Sequence, residues 1–234
     1  MKGDSIGISG MNTHGITLFA GHYGSGKTNL ALNYARYLRR CGAAVAVADL
    51  DIVNPYFRTK DSAAALAAEG IELVVSPFAN SNVDFPALPK EIYSLVSDTS
   101  RAVVIDVGGD DRGALALGRW SDDIRASGNY EMLGVVNFSR PLTRTPEEAV
   151  EVLREIEAAA GIAFTGIVNN TNLGPATDAA TVLASVPPAE RTAEMLGVSV
   201  RFTAVRRELA PELEGKIDGI FPLDLQRLYY HLEV

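Results

Sequence analysis

A single cysteine, Cys41, stands in 234 residues. That scarcity excludes an internal disulfide framework and any cysteine-based metal cage within one subunit, and it fits a reducing cytoplasm. No stretch reaches the roughly 18 uncharged apolar residues that a spanning helix requires, and the N-terminus lacks the basic-then-apolar order of a signal peptide. A soluble, cytoplasmic protein without a membrane partner is expected. Positive charge is also in short supply. The 21 Lys and Arg against 29 Asp and Glu leave a formal net charge of −8, which argues against non-specific binding to nucleic acid, a mode that needs clustered cations. No Ser/Pro/Gly linker interrupts the periodic segments, so one domain is expected over residues 16–234. Residues 1–15, Gly- and Ser-rich and without periodicity, read as a flexible N-terminal segment.

Short apolar runs bounded by turn residues alternate with longer segments of helical spacing, the pattern of βαβ units. The expected fold is α/β, three-layered and doubly wound, with a mainly parallel sheet of about seven strands. Candidate buried strands are Ile16 to Ala20, Ala43 to Ala48, Ile71 to Val75, Ala102 to Val107, Met132 to Phe138, Phe164 to Val168 and Val200 to Val205. Expected helices are Asn29 to Arg40, Thr59 to Glu69, Pro146 to Ala160, and Asp178 to Leu196 with a break around Pro187 and Pro188. Thr145, Pro146 and Glu148 spell a capping box with proline at the first helical position. Ligand-binding loops of such a fold lie at the carboxyl ends of the strands.

The first such loop reads G-H-Y-G-S-G-K-T from Gly21 to Thr28, after the apolar strand I-T-L-F-A and before a helical segment. That context is the one a phosphate-binding loop needs. Its glycines let backbone N–H groups turn inward around a phosphate, and the helix N-terminus adds partial positive charge. Lys27 would reach the β- and γ-phosphates and Thr28 would ligate Mg²⁺. The nucleotide-binding set is therefore Gly21, His22, Tyr23, Gly24, Ser25, Gly26, Lys27, Thr28 and the next helical residue, Asn29. A second segment, R-A-V-V-I-D-V-G-G-D-D, delivers Asp106 to a strand end ahead of Gly108 and Gly109. Such a carboxylate holds Mg²⁺, and a following glycine such as Gly109 senses the γ-phosphate. A third, A-V-A-V-A-D-L-D-I-V-N, ends a strand with Asp49, Asp51 and Asn54.

With these three segments the sequence resembles the MinD/ParA group of P-loop ATPases, in which the strand after the phosphate-loop helix ends in a D-x-D switch. The resemblance implies that Asp51 orients or deprotonates the attacking water and, with Lys27, is catalytic. It also implies that Asp49 and Asp51 join Thr28 and Asp106 around Mg²⁺. The group carries a lysine after the first glycine, reaching the nucleotide of a second subunit; this chain has His22 there. Arg58, Arg112, Arg140 and Arg144 all lie just beyond strand ends, and nothing in the sequence chooses an assisting arginine among them.

Guanine-specific P-loop proteins resemble N-K-x-D after a late strand; here Asn169-Asn170-Thr171-Asn172 lacks the Asp. ATP is therefore the expected nucleotide. The resemblance gives the adenine contact to Asn170, or failing that to Asn169. The expectation is a slow, Mg²⁺-dependent ATPase that switches contacts with a client protein or within a nucleotide-dependent homodimer. Two alternatives stay open: a phosphoryl transferase or ligase resembling dethiobiotin synthetase, and a binding module without turnover. The tail F-P-L-D-L-Q-R-L-Y-Y-H-L-E-V holds only Arg227 as a firm cation near its apolar residues, so a docked helix is expected rather than a membrane anchor.

Overall fold

The computed structural model describes residues 15–50, 60–75, 95–109 and 111–225. Among them an eight-stranded sheet runs in the order β3-β2-β4-β1-β5-β6-β7-β8, and every neighbouring pair is parallel. Its strands are β1 (Ile16–Ala20), β2 (Val45–Asp49), β3 (Ile71–Val75), β4 (Ala102–Asp106), β5 (Tyr130–Val136), β6 (Gly166–Asn169), β7 (Val200–Arg206) and β8 (Ile220–Leu223). The expected seven strands are present, with bounds shifted by a few residues at several ends. The eighth, I-F-P-L, carries Pro222 and lies at the sheet edge, where a residue without an N–H can be tolerated.

Helices α1 (Lys27–Arg40) and α2 (Lys60–Ala68) follow β1 and β2, and α3 (Asp111–Gly118), α4 (Ser121–Ser127), α5 (Pro146–Ala160), α6 (Ala179–Leu196) and the short α7 (Ala210–Leu213) come later. Strand residues alternate between two faces because successive side chains point to opposite sides. Leu18, Ala48 and Ile105 thus pack with Trp120, Leu153 and Ala193 on one side. Phe19, Val47 and Val104 pack with Leu30, Leu38 and Leu66 on the other. The α1 face is closed by an aromatic cluster in which Tyr34 stacks on Phe202, with ring centroids 6.3 Å apart. Burial pushes the Tyr34 hydroxyl pKa up to about 12, because the interior disfavours the phenolate.

Helix α6 does not break at Pro187 and Pro188. Two prolines remove the bonds to the carbonyls of Leu183 and Ala184, and Ala184 and Pro187 lie on the exposed side of the helix, where water replaces a lost partner. The opposite side buries Ser185, Ala189, Thr192 and Ala193, and that packing overrides the local propensity. The side chain of Asp178 caps this helix by accepting from Thr181 Oγ1 and Thr181 N, and these bonds, the hydroxyl's first, hold its carboxyl below the usual range.

Helix α5 begins as its sequence predicts. Thr145 Oγ1 accepts from Glu148 N at 3.2 Å, and Glu148 Oε2 accepts from Thr145 N at 3.3 Å. Replacing Thr145 by alanine removes one of these reciprocal bonds and should destabilise the protein by about 1 kcal/mol, read as a lower urea midpoint at unchanged slope.

Candidate functional site

Strand pairing brings the carboxyl ends of β1, β2 and β4 to one rim. Asp49 and Asp106 are register partners on adjacent strands, and Phe19 of β1 pairs with Asp106, so the loop after β1 opens beside both carboxylates. The backbone continues the alignment, with Leu50 N donating to Asp106 O at 2.9 Å and Val107 N to Phe19 O at 3.0 Å. Asp49 and Asp106 are both buried. Asp51 and Asn54 lie outside the described residues, as does Arg58.

The loop from Gly21 to Thr28 turns tightly. Ser25 N donates to His22 O at 3.1 Å, and Gly26 adopts a left-handed φ of 88° immediately before α1. A Cβ on Gly26 would stand 2.5 Å from Asn170 Nδ2, so conformation and space both require glycine there. Lys27, 7% exposed, folds back so that Nζ donates to His22 O at 3.1 Å. His22 Nδ1 donates to Tyr23 O at 2.8 Å, and the Tyr23 ring stands out into solvent. Thr28 Oγ1 donates to Asp106 Oδ2 at 2.6 Å. Gly109 lies against this loop: a Cβ there would come within 2.8 Å of Lys27 Nζ and 2.9 Å of Tyr23 N. A tight glycine-rich turn, a buried lysine and a helix N-terminus make an arrangement that suits a phosphate.

The two asparagines at the end of β6 are buried and engaged within the protein. Asn169 Nδ2 donates to Ser185 Oγ at 2.8 Å, and its Oδ1 accepts from Thr171 Oγ1 at 2.8 Å. Asn170 Nδ2 donates to Ser25 O at 2.7 Å, bracing the phosphate loop from its far side. Both Asn170 and Asn29 also line a cavity of about 440 Å³ that opens from the start of α1 toward the ends of β6, β7 and β8. Its walls are Pro175, Val182, Ala204, Val205, Leu223 and Leu225, with Thr171, Asn172 and Thr177 as polar points. Arg206 closes one side by donating from Nη1 to Pro175 O at 3.3 Å and from Nη2 to Thr177 O at 3.2 Å. The walls from β7 and β8 carry no sequence signal; only the strand order brings them beside the loop.

Of the four arginines beyond strand ends, Arg58 and the side chain of Arg112 lie outside what is described; of the other two, the structure brings Arg140 to the site, with Nε donating to Gly24 O at 3.2 Å.

Oxygen donors alone meet where a metal would sit. Among the described residues no group of three His, Cys, Asp or Glu side chains forms a cage of its own. Thr28 and Asp106 supply hard oxygens in contact with each other, a set that fits Mg²⁺ when phosphate oxygens and water complete the octahedron.

No protein-family model matches the chain, and no curated protein matches it in sequence. Solved structures do match. FtsY from Mycoplasma mycoides shares 17% identity at a TM-score of 0.55, over 84% of this chain and 61% of that one. The cell division protein FtsY from Thermotoga maritima shares 17% at 0.57, over 84% and 64%. The fold is that of a P-loop nucleotide-binding protein. The signal recognition particle 54 kDa protein from Aeropyrum pernix, in complex with GDP, shares 21% at 0.52, over 86% and 44%. What is common at these identities is the fold, and this chain spans less than two thirds of the length of each of the three.

These matches correct the resemblance to the MinD/ParA ATPases, since the structures matched are FtsY and signal recognition particle proteins. The motifs behind that resemblance do not separate the two groups: a glycine-rich loop ending in Gly-Lys-Thr and a carboxylate at a neighbouring strand end are parts shared across P-loop proteins. Among the described residues no helix is long and apolar enough to cross a membrane.

Proposed function

We propose that this chain binds a purine nucleoside triphosphate with Mg²⁺ at Gly21 to Thr28, hydrolyses it slowly, and uses the bound state to switch its contacts with a partner protein. The observation that carries this reading is the 2.6 Å contact between Thr28 and Asp106 at the mouth of the glycine loop. Thr28 and Asp106 would hold the metal, with Asp49 beside them in register and Asp51 next along the chain. Bound Mg²⁺ would neutralise charge on the phosphates. Lys27 would add a second cation from the loop itself. The approach of Gly109 to Lys27 and Tyr23 supports the switch, because a phosphate seated in the loop meets the backbone that follows β4. The sheet runs from residue 16 to residue 223, which supports reading residues 16–234 as one domain.

The base would occupy the cavity beside α1. Among the described residues none that lines it is acidic, so the N1–H and N2–H donors of guanine would find no carboxylate among them, which favours adenine. Guanine is the second reading, favoured by the GDP in the matched Aeropyrum pernix structure. Titrating the protein with fluorescent ATP and GTP analogues in Mg²⁺ separates them. ATP should bind at least about tenfold more tightly, the effect of one well-made polar contact. Tighter GTP binding would reverse the assignment of the base and leave the phosphate site standing.

A further inference from the structure

Resting on that reading of the phosphate site, we propose that Arg140 is a positioning residue that holds the phosphate loop in its receptive shape through the Gly24 carbonyl. The contact spans 116 positions of sequence, with Nε to Gly24 O at 3.2 Å.

The turn that delivers Arg140 is stiff. Asn137, fully buried, accepts from Ser139 N and Asn172 N on Oδ1 at 3.0 and 3.3 Å. Its carbonyl accepts from Arg140 N at 3.1 Å and from Thr143 Oγ1 at 2.8 Å. Two residues on, Leu142 takes a φ of 65° with its side chain 62% exposed. A branched side chain in the left-handed region is strained, and no burial of that leucine offsets it. The strain therefore belongs to the turn, whose neighbouring bonds over-determine it. Thr145 and Glu148 then lock the far end into α5.

A loop that must present its N–H groups inward binds best when it is already in that form, because ordering it on binding subtracts from affinity. Asn170 holds Ser25 O from the buried side at 2.7 Å. Arg140 holds the adjacent carbonyl, Gly24 O, from the exposed side. Two consecutive carbonyls are thus held by side chains from opposite sides, which fixes the shape of the loop before a ligand arrives.

Length and charge can be separated by substitution. In Arg140→Gln the amide nitrogen sits at the same number of bonds from Cα as Arg Nε, so it keeps a donor and discards the charge; Arg140→Met discards both. The test measures affinities for fluorescent di- and triphosphate nucleotides with Mg²⁺ on the full chain, with nucleotide-free melting as a check on folding. Arg140→Met is expected to weaken both nucleotides equally, by about fivefold, with unchanged melting, and Arg140→Gln to recover most of the loss. Wild-type affinity in Arg140→Met overturns the proposal. So does an equal loss in both variants that is larger for the triphosphate, which would make Arg140 a charge acting on the ligand. A wild-type protein that binds neither nucleotide would overturn the reading of the site itself, a result distinct from either.

Discussion

Replacing Lys27 by methionine should lower nucleotide turnover by about 10²- to 10³-fold, the usual loss when one preorganised donor to developing charge is removed. Lys27 is 7% exposed and its ammonium rests on the His22 carbonyl, within the space that Gly109 leaves open by having no Cβ. It is therefore held at the loop before any ligand arrives, and no reorganisation is needed when charge builds on a phosphate. The same burial gives a second expectation of opposite sign. A desolvated ammonium is costly to the fold, and methionine fills nearly the same volume without it, so the nucleotide-free variant should melt at the wild-type temperature or above. The wild type gains stability with ligand as RT ln(1 + [L]/Kd), about 2.7 kcal/mol at a hundredfold excess over Kd, and the variant should lose most of that gain. Melting curves with and without Mg²⁺-nucleotide, beside a phosphate-release assay, read both effects. Wild-type turnover in Lys27→Met would remove the basis for placing the reaction at this loop.

Most of the sheet was legible because each strand is a short apolar run with a clear stop, and the aspartates at those stops fell where parallel pairing sets them side by side, Asp49 opposite Asp106. What local pattern does not carry is pairing between distant segments. The strand Ile220–Leu223 is four residues with a proline, too short to show a period, and only its edge position beside β7 explains it. Residues 111–127 form two short helices through a stretch whose glycines hide the helical spacing. Asn170 reads from sequence as a ligand for the base; that its amide also reaches Ser25 across 145 positions is a contact set by β6 lying beyond β5. Arg140 has no local mark that sets it apart from Arg144, and only the fold puts it on Gly24. The family followed the same rule. Phosphate-loop and strand-end motifs are chemistry common to many P-loop proteins, and the matched structures differ from those the motifs suggested.

Gly21 to alanine should cost about 3 kcal/mol, the upper range for forcing atoms into a filled site. A Cβ at this position would stand 2.4 Å from Val135 O and 3.3 Å from Val135 C and N. Those atoms are backbone of β5, paired on both sides inside the sheet, so relief requires moving a central strand and not a side chain. Gly21 also has a φ of 156°, and the substitution must be compared with one that changes conformation alone. Gly42 supplies it, with a φ of 92° and nothing within 4 Å of its would-be Cβ. Gly42→Ala should cost about 1 to 2 kcal/mol, the left-handed penalty by itself. For a protein of this size the two changes correspond to melting temperatures lower by roughly 10 °C and roughly 4 °C. Because Gly21 is also the hinge into the phosphate loop, its alanine variant should bind nucleotide weakly even at temperatures where it stays folded, whereas Gly42→Ala, at the far end of α1, should bind normally. Equal losses of stability in the two variants would mean that the close approach to β5 relaxes freely, and that the first glycine of the loop is kept for the phosphate and not for the sheet.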